Sequence, residues 1–319
     1  MNLIKNKFSI IFLGQSKMLL GSIKAAKFLG VQNITIISLK RKMQPNNSIN
    51  LKKLARKNNF RFLETSNINS NLSIKYLKKL KPNLIIAQWS RIIKKEILKI
   101  PSIGVIGSHP TDLPKNRGRH PLHWSIVMGL KRSKLSFFWM NSKIDDGKII
   151  LKKSFKIGSN ENILALEKKI EKKFFLMTRL ILKKIFLGKK IKGTYQNNKK
   201  INFLRKRNIF DLIINLKMDY NSIKNLTNSF LPPYPGAILI YENYILRVKS
   251  VVAKKQVNLA STEIGKILNI NANSLTTRCA DKIIQINFIK NYKIKKKNNY
   301  IYDPAQYVLK YNMKKLSND

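Results

Sequence analysis

The sequence has few of the residues that would build disulfides or metal sites. It contains one cysteine, Cys279, and three histidines in 319 residues. A single cysteine excludes an internal disulfide, which fits a cytoplasmic location. These four residues have no metal-ligand spacing, so no metal site is expected. Apolar runs are all interrupted before they reach the roughly 18 residues that a membrane-spanning helix needs, so no membrane span is expected.

Acidic residues are also scarce. The chain has 15 Asp and Glu against 64 Lys and Arg, and its formal net charge is +49. Such a basic protein attracts polyanions, and nucleic acid is the obvious candidate. The lysines are spread over the whole length, however, among many Asn and Ile residues, which instead favours compositional drift of the genome. Charge alone therefore leaves a nucleic-acid partner open.

The first half has the pattern of an α/β domain. Ser9–Gly14 is predicted to be a buried strand, apolar residues from Leu19 to Leu29 have helical spacing, and Ile34–Ser38 is a second β-prone run. Pro82–Gln88 is predicted to be a further buried strand. A strand-helix-strand opening indicates a doubly wound fold. The first turn has no Gly-x-Gly-x-x-Gly motif, so the dinucleotide-binding fingerprint is missing.

The second half has a different pattern. Glu161–Leu187 is a long amphipathic helix, followed by a basic, Asn-rich connector. The boundaries predicted from this change are a catalytic domain over 1–188, a linker over 189–206 and a second domain with a basic tail over 207–319. Short β-prone runs with turn signals between them indicate a small open barrel: Ile238–Tyr241, Ile245–Val252, Gly265–Asn269, Ser274–Cys279 and Ile283–Ile289.

The segment between Gly104 and Gly147 carries the residues best suited to chemistry. A short apolar strand leads to His109, and a later strand, Phe137–Met140, leads to Asp145-Asp146-Gly147. Strand ends that offer a histidine and an aspartate are expected to meet at the carboxyl edge of an α/β sheet. Such a pair can hold and move a proton.

This segment resembles the signature of the folate-dependent formyltransferases. The resemblance rests on His109-Pro110-Thr111, Leu113-Pro114, Arg117-Gly118 with Pro121, and Asp145-Asp146-Gly147. Residues 207–213 and the Pro-Tyr-Pro-Gly-Ala turn at 233–237 resemble the carboxyl-terminal domain of that family, most of all in amino-sugar enzymes. The resemblance implies a Rossmann-like, doubly wound formyltransferase domain followed by an OB-like β-barrel. It also implies transfer of a formyl group from 10-formyltetrahydrofolate to an amine.

The resemblance further implies roles for individual residues. His109 would stabilise the oxyanion, and Asp145 would accept the proton of the attacking amine. The pterin of the folate would lie against the backbone of residues 91–93, with Ile144 nearby. The residues assigned to the folate pocket are Arg91, Ile92, Ile93 and Ile144. Arg117 and Arg119 would either grip a phosphate of the acceptor or clamp their own loop.

One catalytic position departs from the family. The Asn that precedes the histidine by two residues is replaced by Gly107. Loss of one oxyanion donor can lower turnover by about 10²- to 10³-fold. Three explanations remain open: another donor such as Asn116 or Ser90 substitutes, the enzyme is slow, or catalysis is lost.

The acceptor can be narrowed but not identified from the sequence. A nucleotide-linked amino sugar is favoured by the Pro-Tyr-Pro-Gly-Ala turn and by the loop that contains Arg117 and Arg119. Methionyl-tRNA is the alternative, favoured by the charge and the basic segment 40–47. Against it, Lys115-Asn116 and Arg119-His120 occupy places where that enzyme usually has an aromatic residue and two alanines. A non-catalytic binding protein on the same fold, suggested by Gly107, is the third hypothesis.

Overall fold

The computed structural model describes residues 7–45, 47–242, 244–254, 259–294 and 298–301, so most of the predicted basic tail lies outside the described residues. The chain divides into two compact units. The first contains residues 1–121, 132–156 and 165–205, and the second contains 122–131, 157–164 and 206–319. The segment predicted as a linker, 189–206, thus lies almost wholly within the first unit.

The first unit is built on a seven-stranded sheet with the order β3-β2-β1-β4-β5-β7-β8. Strands β1 to β5 run parallel. The order reverses between β1 and β4, as in doubly wound folds, and the predicted α/β class is confirmed. The strands are β1 (Ser9–Gly14), β2 (Asn33–Leu39), β3 (Arg61–Thr65), β4 (Leu84–Gln88), β5 (Gly104–His109), β7 (Arg132–Trp139) and β8 (Ile149–Lys156). A two-residue pair, β6 (Arg117–Gly118) with β9 (Phe203–Leu204), lies apart from the sheet.

Helices cover the apolar strands of this sheet. Inward residues of β1 and β2, such as Ile10 and Ile36, are fully buried. The longest helix carries apolar residues at three- and four-residue intervals, which places Phe174 against Phe137 of β7 with ring centroids 5.1 Å apart. The helices of the first unit are α1 (Lys17–Phe28), α2 (Leu51–Lys57), α3 (Asn71–Leu80), α4 (Lys95–Leu98) and α6 (Ile163–Phe186). Helix α5 (Pro121–Val127) belongs, from residue 122 on, to the second unit.

The outer strands of the sheet differ from the prediction. The predicted strand Phe137–Met140 is only the end of β7, and neither β8 nor the edge strand β3 was predicted. Strand β7 runs antiparallel to β5, so Trp139 pairs with Ile106 and not with His109. The carboxyl end of β7 therefore does not lie at the sheet edge where β5 ends with His109. The prediction that two strand ends at one carboxyl edge bring the histidine and the aspartate together is wrong.

The second unit contains a five-stranded antiparallel sheet with the order β10-β11-β14-β13-β12. Its strands coincide with the predicted runs and have the form of a small open barrel, which confirms the predicted fold. They are β10 (Ala237–Tyr241), β11 (Tyr244–Ala253), β12 (Ile267–Ile270), β13 (Ser274–Arg278) and β14 (Ile283–Phe288). Helix α7 (Tyr220–Asn228) packs against the core of this unit through Ile223 and Leu226. His123 is buried, and its ring stacks on that of Phe230 with centroids 4.7 Å apart.

Candidate active site

His109 ends strand β5 and is 5% exposed. Its Nε2 lies 2.7 Å from the carbonyl oxygen of Asn116. A carbonyl can only accept, so Nε2 carries the hydrogen and donates it. Its Nδ1 lies 3.5 Å from Oδ2 of Asp145. Both ring nitrogens therefore face acceptors, which fixes the orientation of the imidazole.

Asp145 reaches His109 from the loop between β7 and β8. Its backbone has a φ of +50°, which few residues other than glycine adopt. The backbone N–H of Gly118 donates to Asp145 Oδ2 at 3.0 Å. The two residues that the sequence singled out as a pair are thus adjacent, although a loop and not a strand end brings the carboxylate in. The side chain of Asp145 is 18% exposed, so the carboxylate still reaches the surface.

Arg117 is buried at the base of this site. Its Nη1 lies 2.8 Å from Asp146 Oδ1, and its Nη2 donates to Gln196 Oε1 at 2.7 Å. The guanidinium group is therefore committed to holding the loop, which supports the clamp alternative for this residue. Arg119 is exposed and donates through Nη1 to the carbonyl of Ser90 at 2.7 Å.

The site also contains two residues that were not predicted. Gln196 donates from Nε2 to the carbonyls of Asp145 and Gly147, at 2.8 Å each. Asn202 accepts from the backbone N–H of Asn116 and donates to its side-chain oxygen, both at 2.7 Å. Both belong to the segment that the sequence indicated as a linker. The only available signal was amide side chains in a basic connector, which is typical of a solvated loop.

Position 107 is crowded. A Cβ on Gly107 would lie 2.8 Å from Met140 Cγ and 2.8 Å from Phe138 Cζ. The space that an Asn side chain would need is thus filled by these two residues. Asn116 and Ser90 were named above as substitute donors. The side-chain oxygen of Asn116 accepts a hydrogen bond from Asn202, and Ser90 is exposed.

The residues assigned to the folate pocket follow strand β4, except for Ile144. Ile92 is 67% exposed and Ile144 is 57% exposed, so both present apolar surface to solvent. The side chain of Ile93 is buried in the core, and only its backbone can face a ligand. Arg91 donates through Nη1 to the carbonyl of Ser66 at 3.0 Å. Asn69 holds this turn by donating to the carbonyl of Ile92 at 2.9 Å.

Two buried polar atoms lie where the strand order reverses. Gln15 follows β1 and Trp89 follows β4, and these strands pair side by side. Gln15 Oε1 and Trp89 Nε1 are buried and have no hydrogen-bond partner among the residues that the structure describes. Buried polar groups are nearly always paired, so this edge is suited to a ligand that offers both a donor and an acceptor.

Asp112 anchors the loop that follows His109. Its carboxylate lies 2.6 Å from Lys152 Nζ on β8 and 3.0 Å from Lys134 Nζ on β7. Partial burial opposes ionisation of Asp112, but the two lysines outweigh it and hold the pKa of this carboxyl below its ordinary value of 3.8. The loop is thereby tied to both antiparallel strands. Among the described residues no cluster of His, Cys, Asp and Glu could hold a metal ion, and no helix is long and apolar enough to cross a membrane.

Several known proteins are similar to this chain in sequence. The bifunctional polymyxin resistance protein ArnA of Wigglesworthia glossinidia brevipalpis is 32% identical over 241 residues, which are 74% of this chain. The match covers only 35% of that protein, so the chain spans about a third of its length. A methionyl-tRNA formyltransferase of Syntrophomonas wolfei is 27% identical over 239 residues, covering 74% of each chain.

Solved structures share the fold over most of its length. An N-formyltransferase from Helicobacter canadensis, in complex with folinic acid and dTDP-3-aminofucose, matches with a TM-score of 0.67 and 16% identity, covering 89% of this chain and 100% of the other. The methionyl-tRNA formyltransferase of Clostridium thermocellum matches with a TM-score of 0.57 and 19% identity, covering 78% and 95%. The formyl transferase family model matches residues 7–175, and the model of the formyl transferase C-terminal domain matches residues 210–301. The chain therefore belongs to the formyl transferase family, and it is a formyl-transfer enzyme.

Proposed function

We propose that this protein transfers the formyl group of 10-formyltetrahydrofolate to the primary amine of a nucleotide-linked sugar. The observation that carries the proposal is the pair of buried His109 and partly exposed Asp145, with Nδ1 and Oδ2 3.5 Å apart. An imidazole donor and a carboxylate acceptor side by side are the groups that attack by an amine on a formyl carbon requires.

The residues near the site fit a folate donor. The exposed side chains of Ile92 and Ile144 provide apolar surface for a ring, and the turn at residues 91–93 provides backbone groups for its edge. The unpartnered Trp89 Nε1 adds a donor close to the end of β4. When bound, the folate would supply an activated formyl carbon, and tetrahydrofolate is the leaving group when its bond to that carbon breaks.

Asp145 and His109 have different roles in the transfer of the formyl group. The Asp145 carboxylate accepts the proton that the attacking amine releases, directly or through a water. His109 donates a hydrogen bond to the oxygen that gains negative charge. Because the Asn116 carbonyl holds Nε2, the hydrogen bond to the oxyanion is assigned to Nδ1, which faces the carboxylate of Asp145.

The choice of acceptor rests on Arg119 and on the fold. The Arg119 side chain is exposed and donates to the Ser90 carbonyl through Nη1, so its guanidinium can also hold a phosphate of a nucleotide. Arg117 is left out of this role because its partners are internal. A solved N-formyltransferase of the same fold is described with dTDP-3-aminofucose, and its whole chain is covered. Both points support a nucleotide-linked amino sugar.

Methionyl-tRNA is the second candidate acceptor. The net charge of +49 and the many methionyl-tRNA formyltransferases among the sequence relatives favour it. The two acceptors differ enough in size and charge for one experiment to separate them.

The test is a pair of assays with 10-formyltetrahydrofolate and purified protein. One contains dTDP-linked amino sugars, and the other contains initiator methionyl-tRNA. We expect formylated sugar and no formylated tRNA. Formylation of the tRNA alone would overturn the preferred acceptor. Failure to turn over any amine, together with retained folate binding, would favour the binding-protein hypothesis.

A further inference from the structure

The two acceptors that orient His109 share an unusual backbone feature. Asn116, whose carbonyl accepts from Nε2, has a φ of +60°, and Asp145, whose carboxylate faces Nδ1, has a φ of +50°. Asn and Asp adopt this left-handed conformation more readily than other non-glycine residues, but it is still sparsely populated. It persists only where the surroundings hold it. The contacts that hold these two residues therefore decide where His109 points.

Asn116 and Asp145, the two residues with positive φ, are each held by one residue of the segment 189–205. At Asn116, Asn202 accepts from the backbone N–H and donates to the side-chain oxygen. At Asp145, Gln196 binds the carbonyl of that residue and the carbonyl two residues later. The sequence separations are 86 and 51 residues, so the contacts are tertiary and not local turns.

The backbone of the same segment completes the arrangement. Strand β9 pairs with β6, and the backbone N–H of Arg117 donates to the carbonyl of Asn202 at 3.0 Å. Gly118, whose N–H binds the Asp145 carboxylate, lies so close to β9 that a Cβ would stand 2.5 Å from the Leu204 carbonyl. The segment thus reaches the catalytic pair through both side chains and backbone.

We propose that Gln196 and Asn202 are positioning residues for formyl transfer, which hold Asp145 and Asn116 in left-handed conformations and thereby fix the His109 imidazole. This inference rests on the proposed function. It assigns to the connector a part in the reaction beyond joining two units. Their described contacts are with Asn116, Arg117, Asp145 and Gly147, so each acts through the residues around the catalytic pair.

The first test compares Gln196→Leu and Asn202→Ala with Asn197→Leu. Asn197 is an exposed amide of the same segment that caps only its own turn by accepting from the Lys199 N–H. We expect kcat for formyl transfer to fall about 10- to 100-fold in the first two variants, because small misplacements of reacting groups have effects of this size. KM for both substrates should change less than about threefold. Asn197→Leu should retain the wild-type kcat.

The second test is a rescue that general structural damage would not show. Glycine adopts positive φ without strain and keeps the backbone carbonyl. Asn116→Gly in the Asn202→Ala background should therefore recover at least about threefold of the lost kcat. Unchanged kcat in both single variants, a loss shared with Asn197→Leu, or no recovery in the double variant would overturn the proposal.

A spectroscopic measurement separates this proposal from the proposed function. The chain has three histidines, so the imidazole signals of His109 can be assigned with a His109→Gln variant. In the wild type the Nε2 hydrogen should exchange slowly, because it is donated to Asn116 in a buried site. Gln196→Leu and Asn202→Ala should accelerate that exchange at least about tenfold, and Asn197→Leu should not. This holds whichever acceptor is formylated, and equal exchange in all variants would contradict the positioning role.

Discussion

The space around Gly107 is filled, which limits the effect of restoring an Asn side chain at this position. Met140 and Phe138 occupy the place of a side chain there, so Gly107→Asn must push both aside. We expect this variant to lose about 1–3 kcal/mol in its free energy of unfolding, as overpacked cores do. It should also gain no kcat, because the amide cannot reach the formyl oxygen through that packing. Urea denaturation and steady-state formylation measure the two effects.

A matched variant tests the cause. Met140→Ala removes one of the two atoms closest to the added Cβ, so Gly107→Asn should cost less stability in the Met140→Ala background than in the wild type. Equal costs in both backgrounds would show that Met140 is not the obstruction. A large gain in kcat from Gly107→Asn alone would show that the site is open to a side chain.

The residues of the site were predicted from sequence to different extents. His109 and Asp145 could be paired because each belongs to a local motif, and the structure does bring them together. Gln196 and Asn202 could not, because their contacts span 51 to 86 residues and depend on the backbone conformation of their partners. For Arg117 the sequence left two alternatives, a ligand of a phosphate or a clamp of its own loop. The burial of Arg117 and its ion pair with Asp146 favour the clamp.

The loop after His109 depends on strands β7 and β8 through Asp112. When folding lowers the pKa of a carboxyl group, that group stabilises the protein at pH values above its unfolded-state pKa. The stabilisation is lost as the pH falls through the folded-state pKa. Asp112→Asn should therefore destabilise the protein at pH 7, and the difference from wild type should disappear as the pH falls below 3.8. Denaturation midpoints at neutral and acidic pH measure this.

Lysine variants provide the control for Asp112. Lys152→Met removes one of its partners and should reproduce the loss at pH 7. Lys153, the next residue of β8, is exposed, and Lys153→Met should change stability by less than about 0.5 kcal/mol. A stability difference for Asp112→Asn that persists unchanged at acidic pH would contradict the ion-pair account.

The elements predicted well are those with uniform burial. Strands β1, β2 and β4 are apolar runs, and their bounds follow from the residues themselves. Strand β8 begins with three apolar residues and continues with Lys, Lys, Ser, Phe and Lys at the sheet edge, so it gave no clear alternating or buried strand pattern. The first half of β7 is polar as well, which is why only its end was predicted. The reversed direction of β7 has no local signal at all.

At the scale of the whole molecule, the charge of +49 predicts binding of polyanions that is weak at physiological salt. If tRNA binding is non-specific, its affinity should fall by about 10³–10⁵ between 50 and 200 mM salt for roughly six to ten phosphate contacts. Formylation of a nucleotide-linked sugar should change far less over that range, because it involves few charges. Filter binding and turnover at matched ionic strength test this, and tRNA formylation that survives 200 mM salt would favour the alternative acceptor.

The central claim is that Asp145 beside His109 carries out formyl transfer, and the measurement that tests it most directly is kcat for Asp145→Asn with folate binding measured in parallel. Asp219→Asn is the matched control, since Asp219 caps α7 and asparagine caps equally well. We predict that Asp145→Asn lowers kcat by about 10²- to 10⁴-fold while folate still binds, and that Asp219→Asn leaves kcat unchanged. Wild-type kcat in Asp145→Asn would contradict the account.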